Sequence, residues 1–396
     1  MNRCLAASLI AMIAIVPSFL GAGDKLPPRA SVRKAVERSL PYLEKEGLNW
    51  INKRDCMSCH VVTFMLWSHN EAKARGIPVD AKKVAEWTDW SMQKSLAEHN
   101  WFKLNEKAHK TLPEPIQPKL LDLVGEGFEF EKDFVAALAK VLTPDELKQH
   151  QTVVLKQAAL AKKGTVNDGG GLDTMSQLFL ARDLTAKSDK DAAFFASTAQ
   201  LMTRWQEPDG QWKAAGQMPS RLWPRPIADQ TTTLWTILAL TSYDLPDARV
   251  KKSVDQAIAA VNKAKPGVNH EWLVARMLFE HKLGVREQAE KLRSDLLKRQ
   301  NDDGGWSTLP GGKSEAFSTG QSLYALRLVG MPVDDAAIGK GQKYLLDTQT
   351  ENGSWIVPPG LLSNGGPERL KKLEPIHRYW GTAWASIGLS RSLSDK

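Results

Sequence analysis

The chain of 396 residues is 42% hydrophobic and 25% charged and carries a formal net charge of +8, the balance of a folded protein with enough chain for one large or two ordinary domains. That composition excludes a collagen-like repeat, a disordered chain and a multi-span membrane protein. Two counts stand out: 14 Trp against 5 Tyr, and only 3 Cys.

Residues 1–23 have the layout of a secretory signal peptide, with Arg3 in a short n-region, an apolar stretch from Cys4 through Phe19, and Gly21-Ala22-Gly23 ahead of Asp24. An uncleaved membrane anchor is the competing reading, because the apolar stretch approaches the length of a span. Either reading places residues 24–396 outside the cytoplasm, in the periplasm or secreted. Removing Arg3 and Cys4 lowers the net charge by one and leaves Cys56 and Cys59 as the remaining cysteines. A single pair this close together is no disulfide scaffold, so stability has to come from a core. Lysine pairs such as Lys82-Lys83 and Lys251-Lys252 are dispersed along the chain, which reads as solvated helix faces and not as a nucleic-acid surface. A membrane surface stays open as a partner, though nothing in the pattern indicates one.

An amphipathic segment at Ser31–Glu46 is followed by Cys56-Met57-Ser58-Cys59-His60, the C-x-x-C-H pattern of covalent haem c attachment. The chemistry needs that order: two thiols add to the porphyrin vinyl groups and the adjacent imidazole reaches the iron. A shuffled chain of this Cys and His content would hold such a run in about five of ten thousand trials. Cys56, Cys59 and His60 are therefore the expected ligands of one covalent haem c, with His60 the proximal iron ligand. A redox C-x-x-C lacks its βαβ surroundings here, and a structural zinc site lacks a second cysteine pair. An inert dithiol or disulfide at a helix start is the remaining alternative. For the sixth ligand, His69 lies about 13.5 Å along the same helix from His60, too far to oppose it. Met92, His99 and His109 are the candidates, and an open sixth position is the other option.

Further along, a helix-period, small-residue-rich pattern recurs at Cys59–Ala74, Leu172–Leu184, Thr231–Thr241, Glu271–Leu283, Ser318–Val329 and Gly381–Leu393. More polar amphipathic segments alternate with these, at Ser31–Glu46, Pro144–Lys162, Asp189–Arg204, Asp247–Lys263, Arg286–Lys298 and Asp335–Leu346. Residues 77–144 do not fit the resulting period and read as a helical insertion or lid after the first hairpin, with Trp87, Trp90, Trp101 and Phe102 as an apolar cover for the haem. The strongest repeat is Q-x-x-x-G-x-W, at Gln206–Trp212, Gln300–Trp306 and Gln349–Trp355, spaced by 94 and 49 residues. Chance would supply about 0.04 such matches. The doubled first interval predicts a degenerate copy between, at Gly267 and Trp272.

These motifs resemble the QW repeats of the terpenoid cyclase and protein prenyltransferase superfamily, which includes squalene-hopene cyclase, over about residues 200–396 and less closely over 30–75 and 150–200. The resemblance implies an all-α fold, an α/α toroid of six helical hairpins in one domain spanning 24–396. It also implies that Gln206, Trp212, Gln300, Trp306, Gln349 and Trp355 are structural. The catalytic features of the superfamily are missing. The D-x-D-D acid of the cyclases is absent, Pro332-Val333-Asp334-Asp335 being the nearest run, and no cysteine is free for a prenyltransferase zinc site.

In such a ring the loops ahead of the inner helices surround one mouth, bringing Cys56–His60 together with Asp173, Asp229, Glu315 and His377. Asp173, Asp229 and His377 are the catalytic candidates, although acids at loop-to-helix junctions more often cap helices. Two functions remain. One is an exported monohaem c protein performing electron transfer, or redox chemistry on a ligand in the cavity, with a redox protein or a small apolar molecule as partner. The other is a non-haem enzyme or binding module for an apolar or carbohydrate ligand, in which C-x-x-C-H is structural.

Overall fold

A computed structural model describes residues 26–53, 59–95, 139–140, 142–149, 170–182, 189–214, 224–358 and 366–394. The signal segment 1–23, Cys56, His99, His109, Trp101, Phe102 and most of 96–169 lie outside them. The principal helices are α1 (Arg29–Lys53), α2 (Cys59–Ala74), α3 (Ala81–Ser95), α4 (Gly170–Ala181), α5 (Asp189–Arg204), α6 (Arg225–Leu240), α7 (Ala248–Lys263), α8 (His270–Lys282), α9 (Arg286–Lys298), α10 (Ala316–Leu328), α11 (Ala336–Thr348) and α12 (Pro367–Ser392). No strand occurs among the described residues.

Helices α2, α4, α6, α8, α10 and α12 pack each against the next, and α12 returns to α2, so they close an inner ring. The other helices pack outside it: α1 on α2 and α12, α5 on α4, α7 on α6, α9 on α8, and α11 on α10 and α12. The protein is thus an all-α, α/α toroid. Burial explains which helices go inside. Every residue of α10 from Ala316 to Leu326 is buried, whereas α9 buries only Ala289, Leu292 and Leu296. A helix that is apolar or small all round needs neighbours on all sides, and one with a single stripe needs one.

Each QW loop joins three helices. The Trp212 indole N–H donates to the Met202 carbonyl on the preceding outer helix, and its backbone N–H donates to Thr233 Oγ1 on the following inner one. Trp306 repeats this with Leu296 and Thr319, and Trp355 with Leu345 and Thr382. The Gln amide donates to the loop's own glycine carbonyl and to a carbonyl on the next outer helix: Ser253 for Gln206, Ala337 for Gln300 and Ala35 for Gln349. The last of these closes the ring, tying the final loop to α1. The loop glycines have φ of +86°, +87° and +83° at Gly210, Gly304 and Gly353, a region that side chains disfavour. A Cβ on Gly353 would stand 2.0 Å from the Arg38 carbonyl oxygen of α1.

One expectation needs correction. Trp272 is not a fourth loop tryptophan: it lies in the first turn of α8, and its indole donates to Gln230 Oε1 of α6 at 3.1 Å. The insertion or lid read at 77–144 is described only in part. Its first helix, α3, packs on both α2 and α4, in the outer place expected for Pro144–Lys162. That second segment is described only to residue 149.

Candidate functional site at the ring mouth and centre

Helix α2 begins at Cys59, so Cys59 and His60 occupy its first turn at one mouth of the ring. The turn is tied to α12 by the Tyr379 hydroxyl, which donates to the Val61 carbonyl at 2.6 Å. Seven residues make nearly two helical turns, about 10.5 Å along the axis and about 20° short of a full return. Position 60 therefore shares a face of α2 with Trp67, and His377 shares a face of α12 with Trp384.

Trp67 and Trp384 line a narrow central pocket of about 40 Å³. Their ring centroids are 5.1 Å apart, and Trp235 of α6 lies 6.0 Å from Trp384. Polar residues complete the wall: Asp173 and Gln177 from α4, Thr231 and Thr232 from α6, and Asn269 and Glu271 at the start of α8. The threonine run survives inside α6 because the Thr231, Thr233 and Thr236 hydroxyls donate to carbonyls four residues back.

Glu271 is the buried acid in this wall. Burial pushes its carboxyl up from 4.5 to about 7, against the opposing pull of the Trp235 indole and the Gln321 amide. Those two groups lie close enough to favour the charged form, yet neither completes a hydrogen bond of ordinary geometry among the described residues. The Trp67 and Trp384 indole N–H groups are also without one. Beside Glu271, burial drives the His270 imidazole down to about 3, and its Nε2 lies 3.2 Å from Ser322 Oγ. Indole walls, buried donors and a raised carboxyl give the pocket both apolar surface and hydrogen-bonding groups.

The sequence candidates separate here. Asp173 lines the pocket. Asp229 does not: its carboxylate accepts from the Ala214 N–H at 2.7 Å and pairs with Arg225, holding the QW loop onto α6. Glu315 is the N-cap of α10, accepting from the Ser318 and Phe317 N–H groups, and burial raises its carboxyl to about 7. Asp335 of the incomplete acid run caps α11 through the Ala337 N–H. His377 is buried on α12 beside Trp380, and burial lowers its imidazole to about 4. Met92 is buried on α3. Trp87, expected over the haem, instead packs edge-on against His69 at 5.1 Å, and His69 lies half a helical turn around α2 from position 60. Glu271 and Gln321 were not singled out from sequence. Their signal was an acid and an amide in otherwise apolar inner-helix patterns.

Among the described residues, which omit Cys56 and the side chains of Cys59 and His60, no three His, Cys, Asp or Glu side chains form a metal-binding group. The fold defines the class as an α/α toroid. Residues 267–353 match the family model of the squalene-hopene cyclase N-terminal domain, which supports the likeness to terpenoid cyclase toroids carried by the QW loops.

Proposed function

We propose that the chain is an exported c-type haem protein, with the haem held at the mouth of the toroid by Cys56, Cys59 and His60. Its role is electron transfer, or redox chemistry on a ligand in the central pocket. The observation that carries this reading is the register of α2: position 60 lies on the face that ends, two turns further in, at the pocket-lining Trp67. The donor set fits the group, with two thiols for thioether bonds and an adjacent imidazole for iron. When bound, haem supplies a one-electron iron centre. The chain's own residues would do the rest. Tyr379 fixes the turn that carries Cys59 and His60. Trp67 and Trp384 provide apolar surface inward of it. Glu271 holds or releases a proton near neutral pH.

A second reading keeps the ring as a binding module or enzyme with a structural C-x-x-C-H, and the buried Glu271, Gln321 and Trp235 favour it. A reduced-minus-oxidised visible spectrum of the full chain, exported with a haem c maturation system, separates the two. The haem reading predicts a covalently retained haem band that Cys59→Ala alters. No such band, or an unchanged band in that variant, ends it.

A further inference from the structure

We propose that an outer cavity between α1, α2 and α3 binds a small aliphatic amine in its ammonium form, an inference independent of the haem reading. This cavity measures about 320 Å³, against about 40 Å³ for the central pocket, and so has the room that a small-molecule site needs. Glu37, Leu40 and Glu44 of α1, His69 of α2, Asp80 ahead of α3 and Trp87 of α3 line it. His69 supplies a buried acceptor. It is 4% exposed, and its Nδ1 lies 2.7 Å from the Met65 carbonyl oxygen one turn back. A carbonyl only accepts, so Nδ1 carries the proton, and burial holds the imidazole below its ordinary 6.5 and keeps it neutral. The lone pair is therefore on Nε2, which opens on the cavity and receives no hydrogen bond among the described residues. Trp87, edge-on at 5.1 Å, holds the ring in place.

The three carboxylates are each half used. Asp80 Oδ1 caps α3 by accepting from the Lys82 and Lys83 N–H groups, Glu44 Oε1 takes the Lys83 ammonium at 2.6 Å, and Glu37 Oε1 takes the Arg33 guanidinium at 2.8 Å. The second oxygen of each accepts no hydrogen bond among the described residues. No basic side chain lines the cavity among those residues. The free polar atoms of Glu37, Glu44, His69 and Asp80 are thus all acceptors, which selects a head group that only donates and carries positive charge. Among the described residues these groups do not draw together into a metal-binding set, so the cation is organic. Leu40 and Val79 give the alkyl chain an apolar wall, and the Trp87 indole attracts a cation at its face.

The test is calorimetric titration of the full chain with n-butylammonium chloride, with 1-butanol and sodium butyrate as neutral and anionic counterparts of the same length. The amine should bind saturably and the other two should not. His69→Phe keeps a flat ring and removes the acceptor, and Asp80→Asn keeps a side chain able to cap α3. Each should weaken binding about tenfold or more, the loss expected for one hydrogen bond to a charged group. Glu290→Gln, at an exposed acid on α9, should leave the affinity unchanged. Should His69→Phe not fold, Asp80→Asn carries the comparison. No saturable binding of the amine, equal binding of 1-butanol, an unchanged affinity in either cavity variant, or an equal loss in Glu290→Gln overturns the assignment. None of these outcomes bears on whether haem is attached, since His69 lies on the face of α2 opposite position 60.

Discussion

Glu271 concentrates the cost of building a polar centre into an apolar ring. Its carboxyl is raised from 4.5 to about 7, so the folded state binds its proton more tightly than the unfolded chain does. The stability linked to that proton is fully present below about pH 4.5 and is lost as pH rises through about 7. Each tenfold difference in proton affinity between the two states is worth about 1.4 kcal/mol, which makes the whole loss about 3 kcal/mol. Glu315, raised to the same value, adds a parallel loss, while His270 and His377, both lowered, give stability that grows as pH rises toward 6.5. Comparing Glu271→Gln with wild type cancels the shared contributions. Between pH 5 and 8 the variant should gain on wild type by about 2 kcal/mol in urea unfolding. Parallel pH profiles would contradict the assignment of a protonated Glu271.

At the scale of elements, the tightest join in the ring is between α10 and α12. A Cβ on Gly320 would stand 2.2 Å from the Trp384 carbonyl oxygen, and one on Gly388 would stand 2.4 Å from that of Gly320. Backbone meets backbone there, so Gly320→Ala should force the two helices apart and cost about 2 kcal/mol or more, as overpacking does. Chemical unfolding checks it, and an unaffected midpoint would show that the helices are free to separate. The inner helices were legible because small and apolar residues recur on every face, and the QW loops because their Gln and Trp each have a hydrogen-bonding task and their Gly a positive φ. Trp272 misled because its spacing imitates a loop tryptophan while Asn269 caps a helix beneath it, accepting from the Trp272 N–H. Helix α3 was expected only as part of a helical insertion, because its packing on both α2 and α4 is a tertiary choice that an 81–95 window does not reveal. Glu271 was hidden for a similar reason. An acid near a helix start reads as a cap, and only the closed ring shows it buried against Gln321.

For the whole molecule, closure gives the ring two unlike ends. Helix α2 begins at the mouth, so the N–H groups of its first turn and its positive dipole end lie at the place proposed for the haem. The opposite end of the ring gathers carbonyls, and basic groups stand there: Arg391 pairs with Glu71 near the end of α12, and Arg182 just past α4 donates to the Phe179 carbonyl. An anionic group such as a haem propionate suits the first end and not the second. The central claim is that one haem is covalently fixed at that mouth. Cleavage after Arg54 and Lys73 releases Asp55–Lys73, which contains the whole C-x-x-C-H run, and its mass in the matured, exported protein tests the claim most directly. The account predicts the peptide mass plus one haem, lost when Cys56 and Cys59 are both replaced by alanine; the unmodified peptide, with free thiols or an internal disulfide, would contradict it.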